Sequence, residues 1–174
     1  NFYYEYLNMK NLFNNKTILA ELIRSEIFYN ENLNLDLNLS VKNIVNLSNL
    51  NNLELKTNIS EGYIDFSNSN VMWNDSIKIF LENSSLNIDN GKINLSGELK
   101  LEFKDLSNVY SFFQIKKKYR KDFKSLSINF SYIFDDASFL FDNLKIDNAS
   151  NLSLEKFIEN FNRKVDRTFN KITF

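Results

Sequence analysis

The segment from Ile77 to Phe103, IKIFLENSSLNIDNGKINLSGELKLEF, limits the possible folds more than any other part of the chain. Asn90-Gly91 supplies two adjacent residues that tolerate positive φ, as a type I′ turn requires, and apolar residues alternate with polar ones on both sides of it. These signals predict a long β-hairpin. Beyond the turn, Ile93, Leu95, Leu99, Leu101 and Phe103 share one face, and Lys92, Asn94, Ser96, Glu98, Lys100 and Glu102 share the other. At about 3.3 Å per residue, a strand from Lys92 to Phe103 reaches roughly 40 Å, well beyond the usual strand. Strands of that length suit an extended sheet better than a compact barrel. Gly97 interrupts the apolar row, where a strand glycine usually marks a bulge or bend, so the sheet is expected to curve there.

The same alternation recurs along the chain. Leu33, Leu35, Leu37, Leu39 and Val41 alternate with Asn34, Asp36, Asn38, Ser40 and Lys42, and Leu53, Leu55, Thr57 and Ile59 repeat the pattern. Turns at Glu61-Gly62, Ser67 to Asn70 and Asn74-Asp75 divide the next segments, Tyr63 to Phe66 and Val71 to Trp73, from the hairpin. From Leu126 the alternation resumes through Ile128, Phe130, Tyr132 and Phe134, turns at Asp135-Asp136, and returns over Phe139 to Ile146. Short turns between successive strands predict an antiparallel meander. The aromatic stretch over residues 1–15 reads as the end of a strand. Thr17 to Phe28 reads as a short amphipathic helix, with a strand over Glu21 to Tyr29 as the rival reading. Asp105 to Gln114 breaks the alternation and predicts a turn or two of helix. Ser153 is placed to cap a closing helix in which Leu154, Phe157, Ile158, Phe161 and Val165 recur at helical spacing. The expected fold is therefore mainly β: a long-stranded, curved antiparallel sheet of groove-like form with one or two short helices, the last of them amphipathic and C-terminal.

Length and composition narrow the function. A chain of 174 residues reads as a single unit, 1–174, with a real core. Its abundant Asn, Lys, Ile and Phe are read as a bias toward AT-rich codons. Net charge is −1, from 21 basic and 22 acidic residues, so no overall field points to nucleic acid. With no Cys and no His, disulfides, thiolate and imidazole metal ligands, and the commonest nucleophile–base pairs are missing. The expectation is a protein that is not an enzyme and has no cofactor or metal. Asp135-Asp136 with Asp142 matches no calcium-loop spacing and reads as an acidic turn. The chain starts at Asn1 without Met, signal peptide or apolar run near 20 residues, which reads as a fragment of a longer protein.

Two features remain as functional candidates. The first is the apolar face, with Leu35, Leu37, Leu39, Leu55, Ile79, Ile93, Leu95, Leu99, Leu101, Phe103, Ile128 and Phe130 as the residues expected to line it. It is either ordinary core, roofed by the helices or closed internally as in a structural or adhesive β-solenoid without a ligand, or a surface too wide for two short helices to cover. In the second case it must dimerise, curl on itself, or hold something apolar, and acyl chains satisfy burial without specific polar contacts. The second is the basic run, with Lys116, Lys117, Lys118, Arg120 and Lys121 lying between Phe112-Phe113 and Phe123. Such a run is either a solvated loop or a contact for anionic headgroups or a partner protein.

Several motifs in order carry a resemblance. These are Gly62-Tyr63-Ile64-Asp65-Phe66-Ser67; Val71-Met72-Trp73-Asn74-Asp75; Leu86, Asn90-Gly91 and Leu95-Ser96-Gly97; Tyr110-Ser111-Phe112-Phe113-Gln114; Arg120-Lys121; Phe130 with Phe134; and Ile146-Asp147. Over about Leu33 to Asn162, the chain resembles the C-terminal region of the AsmA-like proteins of Gram-negative bacteria, a family that includes AsmA, TamB and YhdP. The resemblance implies an inner-membrane anchor outside this sequence and a periplasmic β-sheet curled into a groove. It also implies phospholipid transport or support of outer-membrane assembly, with an outer-membrane or periplasmic protein as a partner. It brings no catalytic residues.

Overall fold

A computed structural model describes residues 1–7, 21, 25, 27–61, 63–136 and 138–172. Nine strands form one sheet: β1 (Phe2–Leu7), β2 (Leu35–Ile44), β3 (Leu50–Ser60), β4 (Tyr63–Asp65), β5 (Asn70–Trp73), β6 (Ile77–Asp89), β7 (Lys92–Phe103), β8 (Ser125–Ile133) and β9 (Ser138–Ile146). Among the described residues they are accompanied by the α-helices α1 (Leu106–Phe112) and α2 (Leu152–Ile172), with 3-10 turns at Ile27–Tyr29 and Lys117–Tyr119. The helix expected over Thr17 to Phe28 lies largely outside the described residues.

The β6–β7 hairpin forms as its sequence dictates. Asn90 and Gly91 take φ of 50° and 74°, and the pairing extends from Asp89↔Lys92 to Ile77↔Phe103. Neighbours pair antiparallel from β2 onward, so short turns do set the order. Two features depart from a plain meander. β4 and β5 occupy one lane in succession between β3 and β6, and β1 joins the outer side of β2 in parallel, with Phe2↔Leu39 and Tyr4↔Val41 as partners.

Register shifts interrupt three of the long strands, and each holds an asparagine in the left-handed region: Asn52 in β3, Asn83 in β6 and Asn143 in β9. Asparagine tolerates that region better than other non-glycine residues, and a bulge bends the strand and raises its twist. Among the described residues, eight of the twelve non-glycine positions with positive φ are asparagine. In a chain with three glycines, part of the asparagine excess thus has a conformational role, which its reading as codon bias overlooked. The bend expected at Gly97 is there, but the extra residue belongs to β6, where Asn83 and Ser84 oppose Gly97 alone. A Cβ on Gly97 would come within 2.7 Å of the Ser84 Cα, so no other residue fits there without moving backbone.

Polar side chains tie the strand ends together. Asp135 accepts the Ile93 N–H at 3.0 Å, and Asp136 pairs with Lys92 at 2.7 Å, which raises the Lys92 pKa above its ordinary value. At the opposite ends of the strands, the Asp147 carboxylate accepts the N–H groups of Ser125 (2.9 Å) and Lys124 (2.8 Å), which hold its pKa below the usual carboxylate range. Asp105 caps α1 through the Asn108 N–H. α2 is capped by Asn151, whose Oδ1 accepts from the Ser153 and Leu154 N–H groups; Ser153, expected as the cap, lies two residues further on, within the first turn, where its N–H is a donor.

Candidate functional site

Directly opposed residues of an antiparallel pair point to the same side, so the register assigns the faces. Across the sheet run the rows Leu35–Ile59–Ile64–Leu86–Leu95–Tyr132, Leu81–Leu99–Ile128 and Val71–Ile79–Leu101–Leu126–Ile146. A further row, Leu50–Trp73–Ile77–Phe103, closes one end of the strands. Leu37 faces Thr57, and Leu39 faces Leu55. All the apolar candidates therefore lie on one side of one sheet. On the other side Lys100 reaches Glu82 (3.4 Å) and Glu102 (3.2 Å), two carboxylates that raise its pKa.

Among the described residues, the layer over this apolar face is discontinuous. At one end of the strands, Ile59, Ile64, Leu86 and Ile93 are buried in a cluster with Phe28, Leu33, Phe66, Leu95 and Phe134. Along the β9 edge, α2 lays Ile158 inward, Phe161 meets the Phe141 ring at 5.7 Å, and Leu144 is buried. At the other end of the strands, the Trp73 ring packs against Phe112 and Phe113, and Phe103 against Phe123. Between these covers, Leu39, Leu55, Ile79, Leu81, Leu99, Leu101 and Ile128 are half-buried, and Leu35 and Leu37 are exposed. Among the described residues, neither helix and neither 3-10 turn packs broadly on β6, β7 or β8.

Two of the twelve apolar candidates are withdrawn from any open surface. Ile93 is 3% exposed because the Phe28, Leu33, Phe66 and Phe134 side chains close over that end. Phe130 is 6% exposed in the row that leads through its partner Phe141 to α2. Leu95 is half-buried at the margin of the same cluster, and Phe103 is half-buried beneath Phe123. In return the structure adds Leu81 and Val71 to the central rows, and Phe2, Tyr4 and Tyr6 through their parallel partners in β2. The alternation about the hairpin turn marked Leu81; nothing local in the β1 sequence tells which strand it will join.

The basic run divides in the same way. Lys116, Lys117, Lys118 and Lys121 are exposed. Arg120 is half-buried: its Nε donates to the Ile115 carbonyl at 2.9 Å, and its guanidinium lies 5.6 Å from the Tyr110 ring, so it shapes the loop. The described residues contain no cluster of His, Cys, Asp or Glu suited to a metal ion, and no described helix is long and apolar enough to cross a membrane. No protein-family model matches the chain, and neither a curated protein nor a solved structure matches it.

Proposed function

We propose that this chain is a lipid-holding β-groove module of the AsmA-like kind, acting in the periplasm, whose apolar sheet face accepts phospholipid acyl chains while the opposite face meets water. The observation that carries this reading is the half-buried middle of the face, around Leu81, Leu99, Leu101 and Ile128, with no second layer packed on it among the described residues. Apolar surface left in water costs on the order of 25 cal/mol per Å², and an acyl chain laid across the rows recovers that term without any particular hydrogen bond. Because successive rows offer similar burial, a lipid can move along them with little change in energy. Such movement needs no chemistry, in keeping with a chain that has no His or Cys.

The test is to purify the protein from cells and identify bound lipid by native mass spectrometry and organic extraction. Co-purified phospholipid that is lost when Leu99 and Leu101 are both changed to Lys supports the reading. A folded protein that carries no lipid points instead to a structural or adhesive β-solenoid with a closed core, a reading that the sealed rows around Ile93 and Phe130 favour.

A further inference from the structure

The loop after α1 joins two features that the groove does not require. Residues 104–124 carry seven basic side chains against two acidic ones, a net +5 within a chain whose total is −1. On the same loop, Phe112, Phe113 and Tyr119 are 51%, 58% and 65% exposed. Large rings left this open beside a cationic run are uncommon on a surface that meets only water.

The loop is also held in shape. The Tyr110 hydroxyl donates to the Lys121 carbonyl and accepts the Lys121 N–H at 3.0 Å. Arg120 closes back on Ile115, and the Ile115 N–H donates to the Tyr110 carbonyl at 2.8 Å. One side of the Phe112–Phe113 pair rests on Trp73, with ring centroids 4.8 and 5.7 Å away. Trp73 belongs to the end row of the apolar face, so the exposed rings continue that face outward.

We infer that this tip is a docking surface for an anionic phospholipid bilayer, with Lys116, Lys117, Lys118 and Lys121 against the headgroups and Phe112 and Phe113 entering the acyl boundary. Charge complementarity selects a polyanionic partner, and the two exposed phenylalanines select one with a hydrocarbon layer behind its charges. Each lysine near such a surface is worth about 1 kcal/mol, which makes the four together a usable attachment at moderate salt. The inference stands apart from lipid carriage on the sheet face: a protein that carries no acyl chain still docks.

Trp73, the only tryptophan, sits under the tip and reports on it. The full chain is mixed with vesicles of phosphatidylglycerol and phosphatidylcholine, or of phosphatidylcholine alone, some with bromine on the acyl chains. The expected result is co-sedimentation with the anionic vesicles only, Trp73 quenching by the brominated ones, and release by salt. Changing Lys116, Lys117 and Lys118 together to Gln, all three exposed and Lys118 resting only on the neighbouring Tyr119 ring at 4.9 Å, should weaken binding on the order of 100-fold. The double change Phe112→Ser with Phe113→Ser should weaken it further, with circular dichroism checking the fold. Equal binding to neutral vesicles, unchanged binding of the triple lysine variant, or equally tight binding to single-stranded DNA would overturn the inference. Quenching that persists after the vesicles are removed, without co-sedimentation, reports lipid carried on the face and also overturns docking.

Discussion

At the β9 edge of the sheet, the strand is bulged at Asn143, and the Asn162 side chain of α2 accepts the Phe141 N–H at 3.1 Å and donates to the Phe141 carbonyl at 2.6 Å. That amide fills the place of a neighbouring strand. Among the described residues the β1 edge has neither a bulge nor a capping amide: β1 pairs with β2 alone, Phe2, Tyr3, Tyr4 and Tyr6 stand exposed along it, and Glu5 is its single charge. Edge strands invite pairing unless bulges, charges or covering elements block them, so the described residues terminate the sheet more firmly at β9 than at β1. Burial of the apolar face varies along strands as much as across them: on β2, Leu35 and Leu37 are exposed while Val41 is 2% exposed, Leu99 on β7 is half-buried, and Phe130 on β8 and Leu144 on β9 are buried.

If that contrast is real, equal truncations on the two sides must cost unequally. Ile158→Ala empties a buried site beneath α2 and should cost about 2–5 kcal/mol, whereas Leu37→Ala should stay within about 1 kcal/mol. Denaturant unfolding of the two variants measures both, and similar losses would break the comparison. Between the two edges, Gly97→Ala drives a methyl group into Ser84 and should cost about 1–3 kcal/mol by thermal unfolding. A neutral result there would mean that the β6 bulge is not fixed. Asn162→Ala removes both bonds to Phe141 and should cost about 1–2 kcal/mol, while adding concentration-dependent self-association, visible by light scattering, through the uncovered β9 edge.

The smallest effect is a pH dependence. The Asp147 carboxyl is held below its ordinary pKa by the Ser125 and Lys124 N–H groups, so its stabilisation is present above the unfolded carboxylate value and fades as pH falls through the lower folded value. Asp147→Asn should therefore lower Tm slightly at neutral pH, and the gap from the unaltered protein should close in strong acid. A gap that stays constant across that range would show that the charge is irrelevant there.

Much of this architecture was legible in the chain itself. The hairpin from Ile77 to Phe103 came through because its turn chemistry and its alternation are both local and agree. Within each strand, period-two spacing groups Leu39, Leu55, Ile79, Leu99 with Leu101, and Ile128 with their apolar neighbours, and the pairing register then brings these groups to one face. What spacing does not encode is which part of that face receives a cover. Ile93 reads like Leu99, yet Phe28, Leu33 and Phe66, from distant segments, close over it. The parallel attachment of β1 and the shared lane of β4 and β5 depend likewise on long-range pairing. The bulges at Asn52, Asn83 and Asn143 are hidden in the sequence for a different reason: in so asparagine-rich a chain, the residues that adopt positive φ look like all the others.

The account depends on the middle of the apolar face being open to a lipid. A photo-crosslinking amino acid placed at Leu99 or Leu101, and in separate proteins at Lys100 or Glu102, tests this in living cells. Lipid adducts concentrated at Leu99 and Leu101 are the predicted result; adducts equally strong at Lys100 and Glu102, or absent from all four, would contradict it.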